Sequence, residues 1–597
     1  MTVHTVLIAN RGEIARRIIR TCRETGVRAV AVFTDLDAGA TFVREADHAV
    51  RVPSYLDAAA IVAAAQEADA DAVHPGYGFL SENADFARAV TAAGLTFIGP
   101  SAEVIEVMGR KDRAREIADR AGVPVMPRFD PDAVPADAYP VLVKAAAGGG
   151  GKGMHVVRSA DELADALARA QREALSAFGD DTLLIEQYVE DGRHVEVQVF
   201  GDHHGNVVHL FERDCSVQRR HQKIVEEAPA PGLSDALRRT LHESSVSLCR
   251  EVGYANAGTV EFLVSGDRAF FLEMNTRLQV EHPVTEEITG IDLVGWQLGI
   301  AAGEPLPLTQ DEIVCSGHAI EARVYAEDPY AGFLPQAGEV VDVHWPVLRR
   351  TDAAFEGAAT VSTAYDPMLA KIIVRGRDRK DAIRELLAAL DDTGVFGVTT
   401  NLGFVRRLVA SPQFAGGEIH TAWLDAHTGP LVEAPPVPSR AIDVAAAALW
   451  PVVDDGWRSA GPAAPLRRIV VDEDGERHSV VGHDDPLVPR HVRGPRAWVT
   501  VEGQTHVFER PDGMRRPRTA AAGDAEILSP MPGTVLSVSV AEGDRVDAGQ
   551  VLGVVEAMKM ELSLAAAHDG TVTFVGAAAG DQVPLGHRLF HVEPTAD

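Results

Sequence analysis

Lysine is scarce in this 597-residue chain: of 56 basic residues seven are lysine, at positions 111, 144, 152, 223, 371, 380 and 559. Arginine meets nearly every other need for positive charge. A retained lysine therefore marks a place that wants a compact, rotatable ammonium or a nucleophilic amine rather than a planar guanidinium. Lys380, inside the charged stretch Arg375–Lys380, reads instead as a surface residue. Cysteine is scarce as well: Cys22, Cys215, Cys249 and Cys315 are too scattered for a disulfide framework or a zinc site. No apolar run approaches the ~20 residues that cross a bilayer. The first strand, Thr5–Ala9, begins too early to leave room for a signal peptide, so a cytoplasmic location is expected. A formal net charge of -31 argues against nucleic acid and anionic membrane as main partners, because long-range repulsion opposes both, although local basic pockets can still bind anions. The loop Asn10-Arg11-Gly12-Glu13 after the first strand is not a GxGxxG fingerprint, which argues against a dinucleotide.

What is present is a large globular chain. Hydrophobic residues make up 46% of it, enough for several cores, and its length suggests about four domains. Residues 1–110 alternate strands with amphipathic helices: a strand at Thr5–Ala9, a helix from Gly12 to about Thr25, a strand at Ala29–Phe33. That alternation predicts a parallel sheet covered by helices. A mixed block follows over 111–315, and a third over 316–446 opens with the strand His318–Tyr325. Glu433–Pro438 reads as a stiff linker. Beyond it come one alanine-rich helix and several strands, among them Arg468–Val471 and Ala497–Val501; with no catalytic constellation there, 447–524 reads as linker and docking module. Arg510–Ala525 looks like a mobile tether.

The last 70 residues repeat themselves. Gly533-Thr534-Val535, Gly543-Asp544, Val546 and Gly549 recur 37 positions later as Gly570-Thr571-Val572, Gly580-Asp581, Val583 and Gly586. Two copies of a four-stranded unit would pack face to face as a small β-sandwich. Between the halves lies Val554-Val555-Glu556-Ala557-Met558-Lys559-Met560-Glu561-Leu562, with Lys559 in a hairpin. On those residues alone, a surface lysine in a tight turn is an equally good reading.

Four constellations carry chemistry. Gly148, Gly149, Gly150, Gly151 and Gly153 are five glycines in six residues, a loop whose backbone N–H groups can approach phosphate oxygens. It is not a Walker A loop, and alone it fits a flexible surface loop equally well; Lys144 on the entering strand and Lys111 upstream favour phosphate. Glu186, in Glu186-Gln187-Tyr188-Val189, could meet an adenine edge. Glu261 and Glu273 form an acid pair on two strands joined by Gly266-Asp267-Arg268. A three-residue loop places them opposite each other, where like charges destabilise a hairpin unless a hard cation such as Mg²⁺ neutralises them. Next, Asn275, Arg277, Gln279 and Glu281 share one face if the segment is extended, presenting a metal ligand, a cation, an amide and a carboxylate for a small anion beside a general base. Finally, Glu212–Lys223 is charge-dense; a solvated run is the default reading, and Lys223 tips it toward an anion site.

Taken together, these residues resemble the biotin-dependent carboxylases. More closely, they resemble the α subunit of an actinobacterial-type acyl-CoA carboxylase with fused biotin carboxylase and biotin carboxyl carrier domains. The motifs are LIANRGEIA (7–15), HPGYGFLSEN (74–83), GGGGKGM (148–154), RDCSVQRRHQK (213–223), EMNTRLQVEH (273–282) and EAMKM (556–560), over about 1–446 and 525–597. The resemblance implies a multi-domain α/β and α+β protein: a pre-ATP-grasp domain (1–110), an ATP-grasp domain (111–315), a biotin carboxylase C-terminal domain (316–446), the β-rich docking module (447–524) and a biotinyl/lipoyl-like β-sandwich (525–597).

It also implies roles. Lys111, Lys144, the glycines 148–151, Glu186 and His194 contact ATP, with Gln218 and His221 nearby. Glu261, Glu273 and Asn275 hold Mg²⁺ or Mn²⁺. Lys223, Arg277, Gln279 and the Val280 backbone hold bicarbonate, and Glu281 deprotonates it for attack on the γ-phosphate, giving carboxyphosphate. Arg323 stabilises the charge on deprotonated biotin, which is attached to Lys559 by a biotin protein ligase. The carboxyl group passes to a separate carboxyltransferase subunit, so a hetero-oligomer acting on acetyl-, propionyl- or a longer acyl-CoA is implied. A methylcrotonyl- or geranyl-CoA-type α subunit is an alternative. So is another ATP-grasp ligase with a lipoyl carrier, although lipoyl modules read Asp-Lys-Ala where this chain reads Met-Lys-Met.

Overall fold

A computed structural model describes residues 3–131, 133–146, 154–220, 222–450, 467–511, 525–531, 533–557 and 560–594, without the side-chain surroundings of 177, 178, 557, 560 and 561. The glycine-rich loop through Gly153, His221, Lys559 and most of the expected tether (512–524) therefore lie outside the described residues.

The first block forms a five-stranded parallel sheet. Its order is His48–Arg51, Arg28–Phe33, Thr5–Ile8, Ala72–His74, Thr96–Phe97. Val6, Leu7 and Ile8 are fully buried, as a parallel strand covered on both faces requires. The helix Gly12–Thr25 stops at Gly26, which takes the left-handed conformation (φ 74°) that a glycine adopts without steric cost. At the carboxyl ends of the central strands, the Asn10 side chain donates to the carbonyls of Pro75 (2.8 Å) and Tyr77 (2.7 Å), tying the first and second motifs together.

The largest sheet has eight antiparallel strands: Arg268–Asn275, Asn256–Ser265, Arg193–Gly201, Val207–Arg219, Gln222–Ala228, His318–Tyr325, Met368–Gly376 and Arg350–Ala353. It runs without a break across the expected boundary at 315/316. Gln222–Ala228 would otherwise be an edge with unpaired N–H and C=O groups, and His318–Tyr325 satisfies them. A separate four-stranded sheet, Arg128–Phe129, Leu183–Gln187, Val141–Ala145, His155–Val157, packs under the helix Ala160–Phe178 through Leu163 and Ala170.

The alanine-rich helix Ser439–Leu449 shares a core with Val470, Val488, Ala497, Val499, Val501 and Phe508 of a five-stranded sheet, so this module's packing begins ahead of residue 447. The C-terminal repeat is a sandwich of two four-stranded sheets, with one difference from the expected stacking of two separate units. The short strand Arg545–Val546 of the first half pairs with Gly570–Val575 of the second, and Gln582–Val583 of the second pairs with Gly533–Val538 of the first. The exchange lets each half complete the other's sheet. The repeat also has a steric cause: a Cβ on Gly533 would lie 2.4 Å from the Glu556 carbonyl oxygen, and one on Gly570 2.4 Å from that of Glu593. Both glycines allow the same close strand approach, 37 residues apart. Ala557 at the end of one strand pairs with Met560 at the start of the next.

Candidate functional site

The acid pair is opposed, but not by the expected loop. Ser265 pairs with Arg268, so the turn holds two residues, Gly266 and Asp267, with φ 58° at Gly266. In that register Glu261 would face Leu272. A bulge between Glu261 and Phe262 shifts the pairing by one and sets Glu261 against Glu273. Glu261 is buried, and its carboxylate accepts from Asn275 Nδ2 (2.6 Å), Gln279 Nε2 (2.9 Å) and Lys223 Nζ (3.3 Å), with His194 Nε2 3.0 Å away. Glu273 is more open and lies 3.6 Å from Lys111 Nζ. Glu261 and Glu273 stand at paired positions and Asn275 lies two residues beyond Glu273, opposite Thr259; two carboxylates and an amide oxygen are hard donors of the kind that suit Mg²⁺. His194, Glu196 and Glu261 also bring ligand atoms within 4.8 Å of one another, but an imidazole suits Mg²⁺ less well.

The segment after Asn275 is not the extended strand expected. The strand ends at Asn275, and Glu281 stands just before the helix His282–Thr289 without capping it through its side chain. Leu278, fully buried in the core beside the first helix, draws the chain out of the sheet. The polar side chains still converge. Arg277 donates to Glu82 (2.8 Å) and to Asn275 Oδ1 (2.9 Å). Glu281 accepts from Lys223 Nζ (2.6 Å) and Arg323 Nη2 (2.9 Å). Burial opposes the Glu281 charge, yet Lys223, Arg323 and Arg213 outweigh it and hold the carboxyl well below the usual range.

Lys223 also donates to Glu196 (2.7 Å), so three carboxylates share one ammonium, a task for a rotatable point charge. Arg213, with no exposed surface, donates to Glu196 (2.7 Å), Gln198 (2.7 Å), Gln279 (2.8 Å), Thr285 (2.9 Å) and Thr259 (3.2 Å). Arg323 pairs with Glu226 through Nε (2.6 Å) and Nη2 (2.5 Å) and reaches the Tyr325 hydroxyl at 3.3 Å. Burial pushes the Glu226 carboxyl up, Arg323 pulls it down and the Glu281 charge raises it again, leaving it at about 7.

On the opposite side, Lys144 lies 2.5 Å from Glu186, which Arg115 also meets at 3.3 Å. Gln218 is buried directly across the strand pair from Lys223. Gly148, Gly149, Gly150, Gly151 and His221 lie outside the described residues.

Four family models match in chain order: "Biotin carboxylase, N-terminal domain" over 2–105, "Carbamoyl-phosphate synthase L chain, ATP binding domain" over 110–309, "Biotin carboxylase C-terminal domain" over 321–426 and "Biotin-requiring enzyme" over 525–592. The biotin-dependent acyl-coenzyme A carboxylase alpha3 subunit of Mycobacterium leprae is 42% identical over 98% of this chain and 98% of its own length. The chain belongs to the biotin-dependent acyl-CoA carboxylase alpha subunits. It is an ATP-dependent biotin carboxylase, a ligase, with a biotin-carrying domain in the same polypeptide. The mitochondrial methylcrotonoyl-CoA carboxylase subunit alpha of Arabidopsis thaliana is 39% identical over 99% of the chain and 95% of that relative. Among solved structures, the biotin carboxylase domain of Hydrogenobacter thermophilus 2-oxoglutarate carboxylase matches with a TM-score of 0.69 and 41% identity, over 73% of this chain and all of that one. Among the described residues, no helix of this alpha subunit is long and apolar enough to cross a membrane.

Sequence reasoning missed Glu196, Glu226 and Glu321, and left Arg213 without a role inside a quoted motif. Nothing local in the sequence marks Glu196. It stands in the strand Arg193–Gly201 and pairs directly with Glu261, so the acid pair has a third carboxylate on its other side. Glu226 and Glu321 oppose each other across the domain boundary, a pairing visible only once the sheet is known to be continuous.

Proposed function

We propose that this alpha subunit carboxylates biotin held on Lys559, with Glu281 as the base that deprotonates bicarbonate and Glu261, Glu273 and Asn275 as the Mg²⁺ ligands. Lys111, Lys144, Glu186, His194, Gln218, His221 and the glycines 148–151 are assigned to ATP. Lys223, Arg277, Gln279 and the Val280 backbone are assigned to bicarbonate. Biotin, when bound, supplies the ureido nitrogen that accepts the carboxyl group. The relatives' solved structures include one described in complex with MgADP, ADP and bicarbonate, which supports these ligand classes.

The observation that carries the reading is the bridge Lys223–Glu281–Arg323, which joins two domains at one carboxylate. An efficient base needs a pKa near the working pH, and Glu281 is held well below it. Bicarbonate is an anion and competes for Lys223, while negative charge developing on biotin competes for Arg323. Each competition loosens the hold on Glu281 and raises its basicity at the moment a proton must be taken. Arg323 is then a preorganised guanidinium whose charge is already in place.

The carboxyl group goes on to a separate carboxyltransferase subunit, with an acyl-CoA as final acceptor; relatives named as alpha subunits of acyl-CoA and methylcrotonoyl-CoA carboxylases support that class. A biotin protein ligase attaches biotin to Lys559, and streptavidin blotting with intact-mass analysis checks it. ATP hydrolysis should depend on bicarbonate, rise with free biotin, and fall by about 10²–10⁴-fold in Glu281→Ala. Full activity in that variant sinks the assignment.

A further inference from the structure

Among the seven lysines, Lys371 stands in no motif and has no role in the reading above, yet its exposure is 0%. It sits on the strand Met368–Gly376, paired with Arg323 on one neighbouring strand and with Asp352 on the other. Its ammonium donates to the carbonyl oxygen of Val280 at 2.7 Å and lies 3.2 Å from Glu13 Oε1. Val280 stands between the two residues that face the assigned anion, Gln279 and Glu281.

The neighbouring carbonyl is tied in the same manner. The His282 ring meets the Gln279 carbonyl through Nδ1 at 2.7 Å. Burial, reinforced by Lys371, Arg17 and Arg350, keeps that imidazole neutral, so Nδ1–H is the donor. Two consecutive carbonyls are thus anchored to Lys371 and His282, while the Gln279 and Glu281 side chains reach Glu261, Lys223 and Arg323.

The anchor leads away from the site into the first domain. Glu13, from LIANRGEIA, accepts the hydroxyl of Tyr77, from HPGYGFLSEN, and the Tyr77 carbonyl is held by Asn10. Glu82 of the same second motif meets the Thr276 N–H at 3.1 Å and Arg277 at 2.8 Å. The first domain therefore grips the 276–281 loop at two points. A lysine suits the Lys371 position because a single small head must serve one carbonyl and one carboxylate in a space already holding Arg323 and Arg350; a guanidinium is wider and its fork is planar.

We propose that Lys371 is a positioning residue for bicarbonate: it fixes the Val280 carbonyl, and so the aim of Gln279 and Glu281, and ties that setting to the first domain through Glu13. The proposal rests on the assignment of bicarbonate to Gln279, Val280 and Glu281.

The test compares Lys371→Met, Lys371→Arg and Glu13→Gln in the full chain, by steady-state ATP hydrolysis with bicarbonate and ATP varied separately. Removing a hydrogen bond from a charged donor should lower kcat/KM for bicarbonate by about tenfold or more in Lys371→Met. The KM for ATP should stay within about twofold, and MgATP should still raise the melting temperature. Lys371→Arg should fail to restore bicarbonate use, and Glu13→Gln should show a smaller loss of the same selectivity. A bicarbonate kcat/KM within about twofold of the parent in Lys371→Met overturns the proposal, as does a parallel loss for ATP and bicarbonate. If Lys371→Met does not fold, Glu13→Gln decides: a bicarbonate-selective loss supports the role, and parental or unselective kinetics overturn it. Activity retained in Glu281→Gln would remove the underlying reading instead, whereas an inactive Glu281→Gln beside an unaffected Lys371→Met removes the positioning role alone.

Discussion

Where the eight-stranded sheet passes from Gln222–Ala228 to His318–Tyr325 it buries Glu226, Glu321, Arg323 and, one strand further, Lys371. The described part of the C-terminal sandwich instead buries Met531, Val535, Leu552, Val555, Phe590 and Val592, and of its polar side chains Ser529. Both are β structures in one chain, yet their cores follow opposite rules. Burying charges costs several kcal/mol per ion unless each finds a partner, so a sheet that keeps them is organised for chemistry rather than for stability. Among its described residues the sandwich keeps almost no charge inside, and apolar transfer suffices to hold it together.

The comparison can be broken first at Arg213. Arg213→Met removes one buried guanidinium and leaves Glu196 with Lys223 alone, so a loss of about 3–5 kcal/mol in the carboxylase unit is expected, together with loss of activity. Chemical denaturation followed by the tryptophans of that unit, with the phosphate assay alongside, measures both. A neutral result would mean that the charged core is not a cooperative unit.

Phe590→Ala should cost the sandwich about 3–5 kcal/mol through a cavity. Its ring is buried in the sandwich core and lies against Gly553, which has no side chain to move into the space. Carboxylation of free biotin should be unchanged, because none of the sandwich's described residues contacts the charged site; biotinylation by the ligase should fall. Impaired free-biotin turnover would contradict the division of labour.

A smaller effect distinguishes the two cores by pH. The Glu226 carboxyl is held at about 7, above its unfolded value of about 4.3, so its neutral form is favoured on folding. The stability it contributes is complete below the unfolded value and is lost as pH rises toward 7. Glu226→Gln, neutral throughout, should therefore flatten the fall in melting temperature between pH 5 and pH 7, at roughly the window set by those two values. Parallel curves for parent and variant would contradict the assignment.

Much of the fold was legible because it rests on local rules. The βαβ alternation of residues 1–110, the apolar strand Thr5–Ile8 and the 37-residue glycine spacing all follow from backbone geometry that the sequence carries openly. Glu261 and Glu273 were readable because like charges opposed among apolar neighbours demand a partner, Lys223 because lysine is scarce in this chain, and Glu281 because it follows the acid pair on one polar face. What escaped depended on pairing between distant strands. Glu196 and Glu226 look like ordinary alternating acids until their cross-strand partners, Glu261 and Glu321, are known. The bulge at Glu261 compensates for a two-residue turn, and no local signal announces it. Likewise, a division at 315/316 follows composition, whereas the sheet follows its hydrogen bonds.

The central claim is that Glu281, on the loop that leaves the sheet after Asn275, and Arg323, on the strand His318–Tyr325, act as one catalytic unit across that boundary, and a double-mutant cycle on bicarbonate-dependent carboxylation of free biotin tests it most directly. Glu281→Gln, Arg323→Gln and the double variant should be strongly non-additive, the double costing little more than the worse single, because either change already disables the pair. Losses that multiply independently, with no coupling between the two positions, would contradict the account.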